Sequence, residues 1–209
     1  SSASSYGYTE VWEAAKAVAL QLKYRYNVGQ NDYVLIDGEG RSQVELVGVL
    51  AAGILKCPFV PVDTSYLHKA KHRLEAITAA LTADLGGSGS RSGRVFGIAL
   101  ADDDASPVPV AFRAAGVHNI VYLSEQIAVV ESITTLDDLP ELEELDEVGE
   151  EPLYVMFTSG TSDVPKAVLG STPATLNRLQ WGNDTFGGTF AEPSIVCKSA
   201  GICFIDGLH

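Results

Sequence analysis

The residues best suited to chemistry lie together in Phe157-Thr158-Ser159-Gly160-Thr161-Ser162-Asp163-Val164-Pro165-Lys166-Ala167-Val168. Four hydroxyl side chains surround one glycine, and a Pro-Lys pair closes the run. Gly160 permits a tight turn and lets the backbone approach an anion with no Cβ in the way. The hydroxyls of Thr158, Ser159, Thr161 and Ser162, together with successive backbone N–H groups, are donors of the kind that wrap phosphate oxygens. Lys166 adds a cation on a flexible stem, and Pro165 stiffens the chain ahead of it. That combination suits a polyphosphate. Taken alone, the loop leaves a second reading open, a Ser/Thr-rich turn between two strands that binds nothing. It is not a Walker A loop, which requires Gly-Lys-Ser/Thr; here Pro165 precedes the lysine and Ala167 follows it.

Other reactive residues carry less. His68 and His72 stand four apart on a predicted helix, the spacing of two metal ligands, but no third ligand sits at a telling distance. They read as exposed helix histidines, and no metal site is expected. Cys203 has no neighbouring histidine to activate it and reads as a small core residue. Cys57, Cys197 and Cys203 match neither a zinc pattern nor a disulfide framework. A reducing, intracellular compartment is therefore expected, the cytoplasm foremost.

The elements that must position the loop follow from periodicity. Val11, Ala15, Val18 and Leu22 form one face of an amphipathic helix that should stop near Asn27-Val28-Gly29. Tyr33 to Ile36 and Phe59 to Val62 read as short buried strands. Between them, roughly Ser42 to Leu55 is helical and apolar nearly all round. Its Gly48, Ala51, Ala52 and Gly53 leave room for close packing, which must offset about 1 kcal/mol of lost propensity per glycine. A third helix carries Ala70, Leu74, Ile77 and Leu81 on one stripe. Residues 86–93 are a flexible loop by composition. A strand (Val95 to Leu100), a helix (Val108 to Ala115), a strand (Ile120 to Leu123) and the strand-like Leu153 to Phe157 follow. This β-α-β-α order predicts an α/β fold of layered βαβ units with a mostly parallel sheet. No internal repeat is present.

The 209-residue chain has 46% apolar residues, enough for a buried core. Its net charge of −13 is mainly local, since nine acidic residues and no Lys or Arg fall between Asp137 and Glu151, leaving −4 for the rest. That run reads as a solvated connection with Leu139, Leu142 and Leu145 lightly packed, or as a dock for a basic partner. Without clustered Lys and Arg, nucleic acid is not an expected partner. No apolar stretch is long enough to span a membrane, and the opening Ser1–Ser5 run lacks the parts of a secretory signal.

Several segments in one order point to a family. The loop resembles the phosphate-binding motif of adenylate-forming (AMP-binding, acyl/aminoacyl-AMP ligase) enzymes, Thr-Ser-Gly-Thr-Thr-Gly-x-Pro-Lys-Gly. Leu50 to Asp63, ending in Val-Pro-Val-Asp, resembles that family's helix-to-strand segment. Asn27 to Val34 resembles the turn and strand before it, and Tyr66 to Ile77, with Arg73-Leu74, the helix after it. Leu176-Asn177-Arg178 and Lys198 to Asp206 resemble parts of the amino-acid-activating branch. The resemblance covers nearly the whole chain and is weakest between Leu85 and Glu151.

It implies the incomplete N-terminal portion of an adenylate-forming ligase fold. The expected divisions are an N-terminal α/β part (1–136), an acidic connection (137–152), and the phosphate-loop strands with the start of the acyl-substrate half (153–209). In such enzymes a carboxylate attacks the α-phosphate of ATP, giving an acyl-adenylate and pyrophosphate, and coenzyme A or a carrier-protein arm then takes the acyl group. By resemblance Thr158, Ser159, Gly160, Thr161, Ser162 and Lys166 hold the β- and γ-phosphates. Lys166 is the catalytic candidate, Asp206 faces the amino or acyl acid, and ATP with magnesium is implied. Asp163 and Ala167 replace glycines usual in the family, and a carboxylate near phosphate is repulsive. The family's adenine segment, ribose-binding Asp and catalytic C-terminal Lys have no counterpart in these 209 residues. The expectation is a ligase fragment inactive on its own, which needs a covering chain or the other half of the domain. The alternative is a non-catalytic accessory or scaffold subunit derived from a ligase.

Overall fold

The first helix, α1 (Tyr8–Tyr26), starts where Glu10 reaches back to accept the Gly7 N–H at 2.6 Å. Ala15, Val18 and Leu22 of the expected stripe are fully buried, and Val11 packs at its margin. The helix stops at Asn27, which is left-handed at φ 50°, and the Val28 N–H reaches back to the Leu22 carbonyl at 3.0 Å. In this computed structural model the described residues are 7–37, 43–63, 67–83, 93–100, 107–123, 151–158 and 166–186.

Within them lie strands β1 (Tyr33–Asp37), β2 (Phe59–Val62), β3 (Val95–Ala99), β4 (Ile120–Tyr122), β5 (Pro152–Phe157) and β6 (Ala167–Ser171). The remaining helices are α2 (Gln43–Ile54), α3 (Leu67–Thr82), α4 (Pro107–Ala114) and α5 (Thr172–Phe186). The six strands form one sheet in the order β4-β3-β1-β2-β5-β6. The first five in that order run parallel, and β6 is antiparallel to β5. The α/β fold with a mostly parallel sheet is thus as the periodicity predicts.

Apart from Asp37 at the end of β1, the central strands are apolar because both faces of the sheet are covered. Val34 and Ile36 of β1 face α1 and α2, whereas Tyr33 and Leu35 face α3 and α4. Phe96 and Ile98 of β3 join the first core, and Val60 and Val62 of β2 join the second. Ala51 and Ala52 of α2 are fully buried, which is where its small residues let the helix come close to its neighbours.

One corner ties α1, β1 and β3 together. Asp32 is 7% exposed. Its carboxylate accepts the Gly29 N–H at 3.0 Å, the Arg94 N–H at 3.1 Å, and the Arg94 Nε and Nη2 at 3.0 and 2.8 Å. Arg94 also donates to the carbonyls of Tyr26 and Asn27, at 3.0 and 2.7 Å. The Asp32 hydrogen bond raises the Arg94 guanidinium above its ordinary value. Beside it, Gly93 is buried. A Cβ there would collide with the Asn31 carbonyl oxygen and the Tyr33 ring. Composition placed Gly93 in a flexible loop; the structure makes it a fixed, close-packed point. Residues 84–92 and 124–150, the latter with nearly all of the acidic run, lie outside the described residues.

Cys57 is buried, and its Sγ lies 3.1 Å from the Asp32 carbonyl oxygen. Burial, and secondarily the Asp32 charge, pushes the thiol far above its ordinary 9.0. The unfolded chain ionises near that ordinary value while the native thiol stays protonated, so stability is full below it and falls as pH rises past it. Cys57→Ala is expected to remove a slope of about 1.4 kcal/mol per pH unit above that point. Urea denaturation of both proteins at neutral and alkaline pH measures the difference; identical slopes would contradict it.

Candidate functional site

The hydroxyl-rich run is mounted on a hairpin. β5 and β6 pair in the register Val155↔Leu169, Met156↔Val168 and Phe157↔Ala167. The Thr158 N–H donates to the Lys166 carbonyl at 3.0 Å, closing the neck just beyond the last strand pair. Register is set deeper in the hairpin, where Gly170 lies opposite Tyr154 and a Cβ at Gly170 would enter the Tyr154 ring. That ring is buried and packs on Phe59 of β2, with centroids 5.8 Å apart. A glycine covered by a cross-strand aromatic is a register pin. The side chains of Thr158 and Lys166 are both exposed at the neck.

Because β5 is parallel to β2, the neck emerges at the ends of strands where open parallel sheets gather their ligand-binding loops. Asp63 follows β2 at this same end. Between β2, α3 and β5 lies a cleft of about 50 Å³, lined by Val62, Asp63, Arg73, Ile77, Met156 and Phe157 among others. Arg73 Nη2 donates to the Phe157 carbonyl at 3.1 Å across the mouth of the hairpin.

Of the candidate residues, the structure brings together Thr158 and Lys166. Ser159, Gly160, Thr161, Ser162, Asp163 and Asp206 lie outside the described residues. Ala167 is the first residue of β6. His72 is exposed and pairs with Glu75 at 3.4 Å, one turn on along the same helix. Among the described residues no group of three His, Cys, Asp or Glu side chains is set to hold a metal ion, and no helix is long and apolar enough to cross a membrane.

Two features escape a reading of the sequence. Arg73 stands out there for its resemblance alone; its partner is 84 residues away, and only the sheet order puts β5 beside α3 and β2. Helix α5 carries Gly182 within it, a weak helix former. Its Leu176, Leu179 and Trp181 are exposed, as are Val168 and Leu169 of β6. The apolar stripe that would announce the helix is thus unmatched by a core among the described residues.

No protein-family model matches the chain. Over 163 residues, 78% of its length, it is 31% identical to the nonribosomal peptide synthetase anaPS of Neosartorya fischeri, of which it spans 6%. Among solved structures it is similar to VinN in complex with 3-methylaspartate, with a TM-score of 0.68 at 18% identity over 97% of this chain and 50% of VinN. It is likewise similar to the fatty acyl-adenylate ligase from L. pneumophila in complex with acyl adenylate and pyrophosphate (TM-score 0.58, 16% identity, 88% of this chain, 28% of that one). The o-succinylbenzoate CoA synthetase MenE from Bacillus subtilis, in complex with the acyl-adenylate intermediate OSB-AMP, gives 0.55 at 18% identity over 96% of this chain and 44% of that one. At such identities the solved structures establish the fold, and the chain spans half or less of each.

Proposed function

Since this chain is related to the adenylate-forming ligases and carries the fold of part of them, we propose that it is the N-terminal portion of an AMP-forming ligase. Such an enzyme activates an amino or acyl carboxylate with ATP, and residues 158–166 hold the ATP phosphates. One observation carries the reading: the hydroxyl-rich run springs from the ligand-binding end of a parallel sheet, on a neck closed by the Thr158–Lys166 hydrogen bond with both side chains exposed.

In this reading the substrate carboxylate attacks the α-phosphate, and pyrophosphate leaves. Thr158, Ser159, Thr161 and Ser162 donate to the β- and γ-phosphate oxygens, and Gly160 lets the backbone come close. Lys166 neutralises charge as it accumulates on the departing pyrophosphate, an electrostatic and positioning task. Magnesium arrives on the triphosphate. Asp206 faces the acid substrate, and a carrier-protein arm or coenzyme A takes the acyl group afterwards. Residues 1–136 are the N-terminal α/β part, 137–152 the acidic connection, and 153–209 the phosphate-loop strands leading into the acyl-substrate half. The exposed apolar faces of β6 and α5 are where the other half of the ligase, or a covering chain, packs.

Calorimetric titration of the 209-residue polypeptide with ATP, tripolyphosphate and AMP tests the proposal. ATP and tripolyphosphate should compete for one site, and AMP should bind much more weakly because it lacks the phosphates the loop holds. Equal affinity for AMP and ATP, or no binding of either polyphosphate, would overturn it. The polypeptide alone is expected to bind ATP without ATP–pyrophosphate exchange. Exchange on mixing with amino or fatty acids would show that it is sufficient for adenylation.

Asp163 supplies a sharper expectation. Its carboxylate sits in the loop at a position where the related motif carries glycine. Removing a like charge about 4 Å from a phosphate oxygen is worth about 1 kcal/mol in water and more in a drier site. Asp163→Gly should therefore tighten ATP binding about fivefold, by less at high salt. Unchanged affinity would mean that the carboxylate points away from the phosphates.

A further inference from the structure

The neck of the hairpin is held from one side by its own backbone, and the other side needs a partner. In an antiparallel pair successive residues present their polar groups to opposite edges. The Thr158 N–H is directed across the hairpin to the Lys166 carbonyl. The preceding residue, Phe157, therefore turns its carbonyl toward β2. The recorded β2–β5 register is Phe59↔Tyr154, short of Phe157, and β2 ends at Val62. Arg73 of α3 supplies the donor, with Nη2 at 3.1 Å from the Phe157 carbonyl oxygen.

We propose that Arg73 is the positioning residue of the hairpin neck, holding Phe157 so that Thr158 and Lys166 are already in place when the polyphosphate arrives. The inference rests on the phosphate-holding reading given above for the ligand's identity, though not for the clamp. Two features separate clamp from simple support. The Arg73–Phe157 hydrogen bond is exposed, so it adds little to global stability. Yet it acts on Phe157, the residue beside the neck that carries Thr158 and Lys166. A neck already held binds more tightly because less freedom is lost on binding.

The test is amide hydrogen exchange read by NMR on the 209-residue chain, with ATP titrations in parallel, for the wild type, Arg73→Ala and Arg73→Lys. Arg73→Ala is expected to speed exchange at Thr158 about tenfold while amides of α1 and β1 keep their rates. It should also weaken ATP about fivefold, and Arg73→Lys, which keeps one donor, should recover part of both effects. Faster local exchange in a chain that never binds ATP would uphold the clamp and sink the phosphate reading. Unchanged exchange at Thr158, or equal acceleration throughout the sheet, would overturn the clamp whatever ATP does.

Discussion

Lys166→Ala is expected to weaken ATP binding by about ten- to a hundredfold while leaving the fold intact. A charge-assisted hydrogen bond to phosphate contributes about 1.5–3 kcal/mol, which sets that range. The side chain is exposed at the hairpin neck, so truncation leaves no cavity. The neck survives too, because the Thr158 N–H is bonded to the Lys166 main-chain carbonyl, which alanine retains. The loss should shrink as salt rises, since it is largely electrostatic, and AMP should bind the variant and the wild type alike. Calorimetry at two ionic strengths reads both effects. A variant that binds ATP as the wild type does would remove Lys166 from the site. A variant whose melting temperature collapses would show the lysine to be structural.

The largest effect on stability is expected from Asp32→Ala, about 3 kcal/mol, or a fall in Tm of roughly 6–12 °C for a chain of this size. The carboxylate gathers two backbone N–H groups and the Arg94 guanidinium. Its removal strands the Gly29 and Arg94 amides and leaves a cation against two carbonyls. Breaking a fully buried pair costs 3–5 kcal/mol; the Arg94 side chain is 57% exposed, so water recovers part and the lower end applies. Asp32→Asn, which keeps one acceptor oxygen, should lose about half as much. Urea denaturation of the three proteins decides it, and an unshifted midpoint for Asp32→Ala would show that the corner bears no load.

Much of the scaffold is legible in local pattern. Apolar runs such as Tyr33 to Ile36 and Phe59 to Val62 become strands because both faces of a parallel sheet are covered. The stripe Ala15, Val18, Leu22 becomes the buried face of α1, and Asn27 ends it, since a left-handed stop suits asparagine. Helix α5 is not legible, because Leu176, Leu179 and Trp181 are exposed rather than set in a core stripe, and Gly182 weakens its propensity. Gly93 misleads in the other direction: composition suggests a mobile linker, whereas the Asn31 carbonyl and the Tyr33 ring leave room for nothing larger than glycine.

What the amino-acid order determined by itself is the succession of strands and helices from α1 to β5 and the chemical character of the 158–166 run. Both depend on neighbours a few residues apart. The tertiary structure alone decided that β5 lies beside β2, that Arg73 reaches Phe157, and that Arg94 closes on Asp32 across 62 residues. Such partners meet only after the strands have been sorted into a sheet. That sorting is governed by the packing of two apolar cores, and no local spacing encodes it.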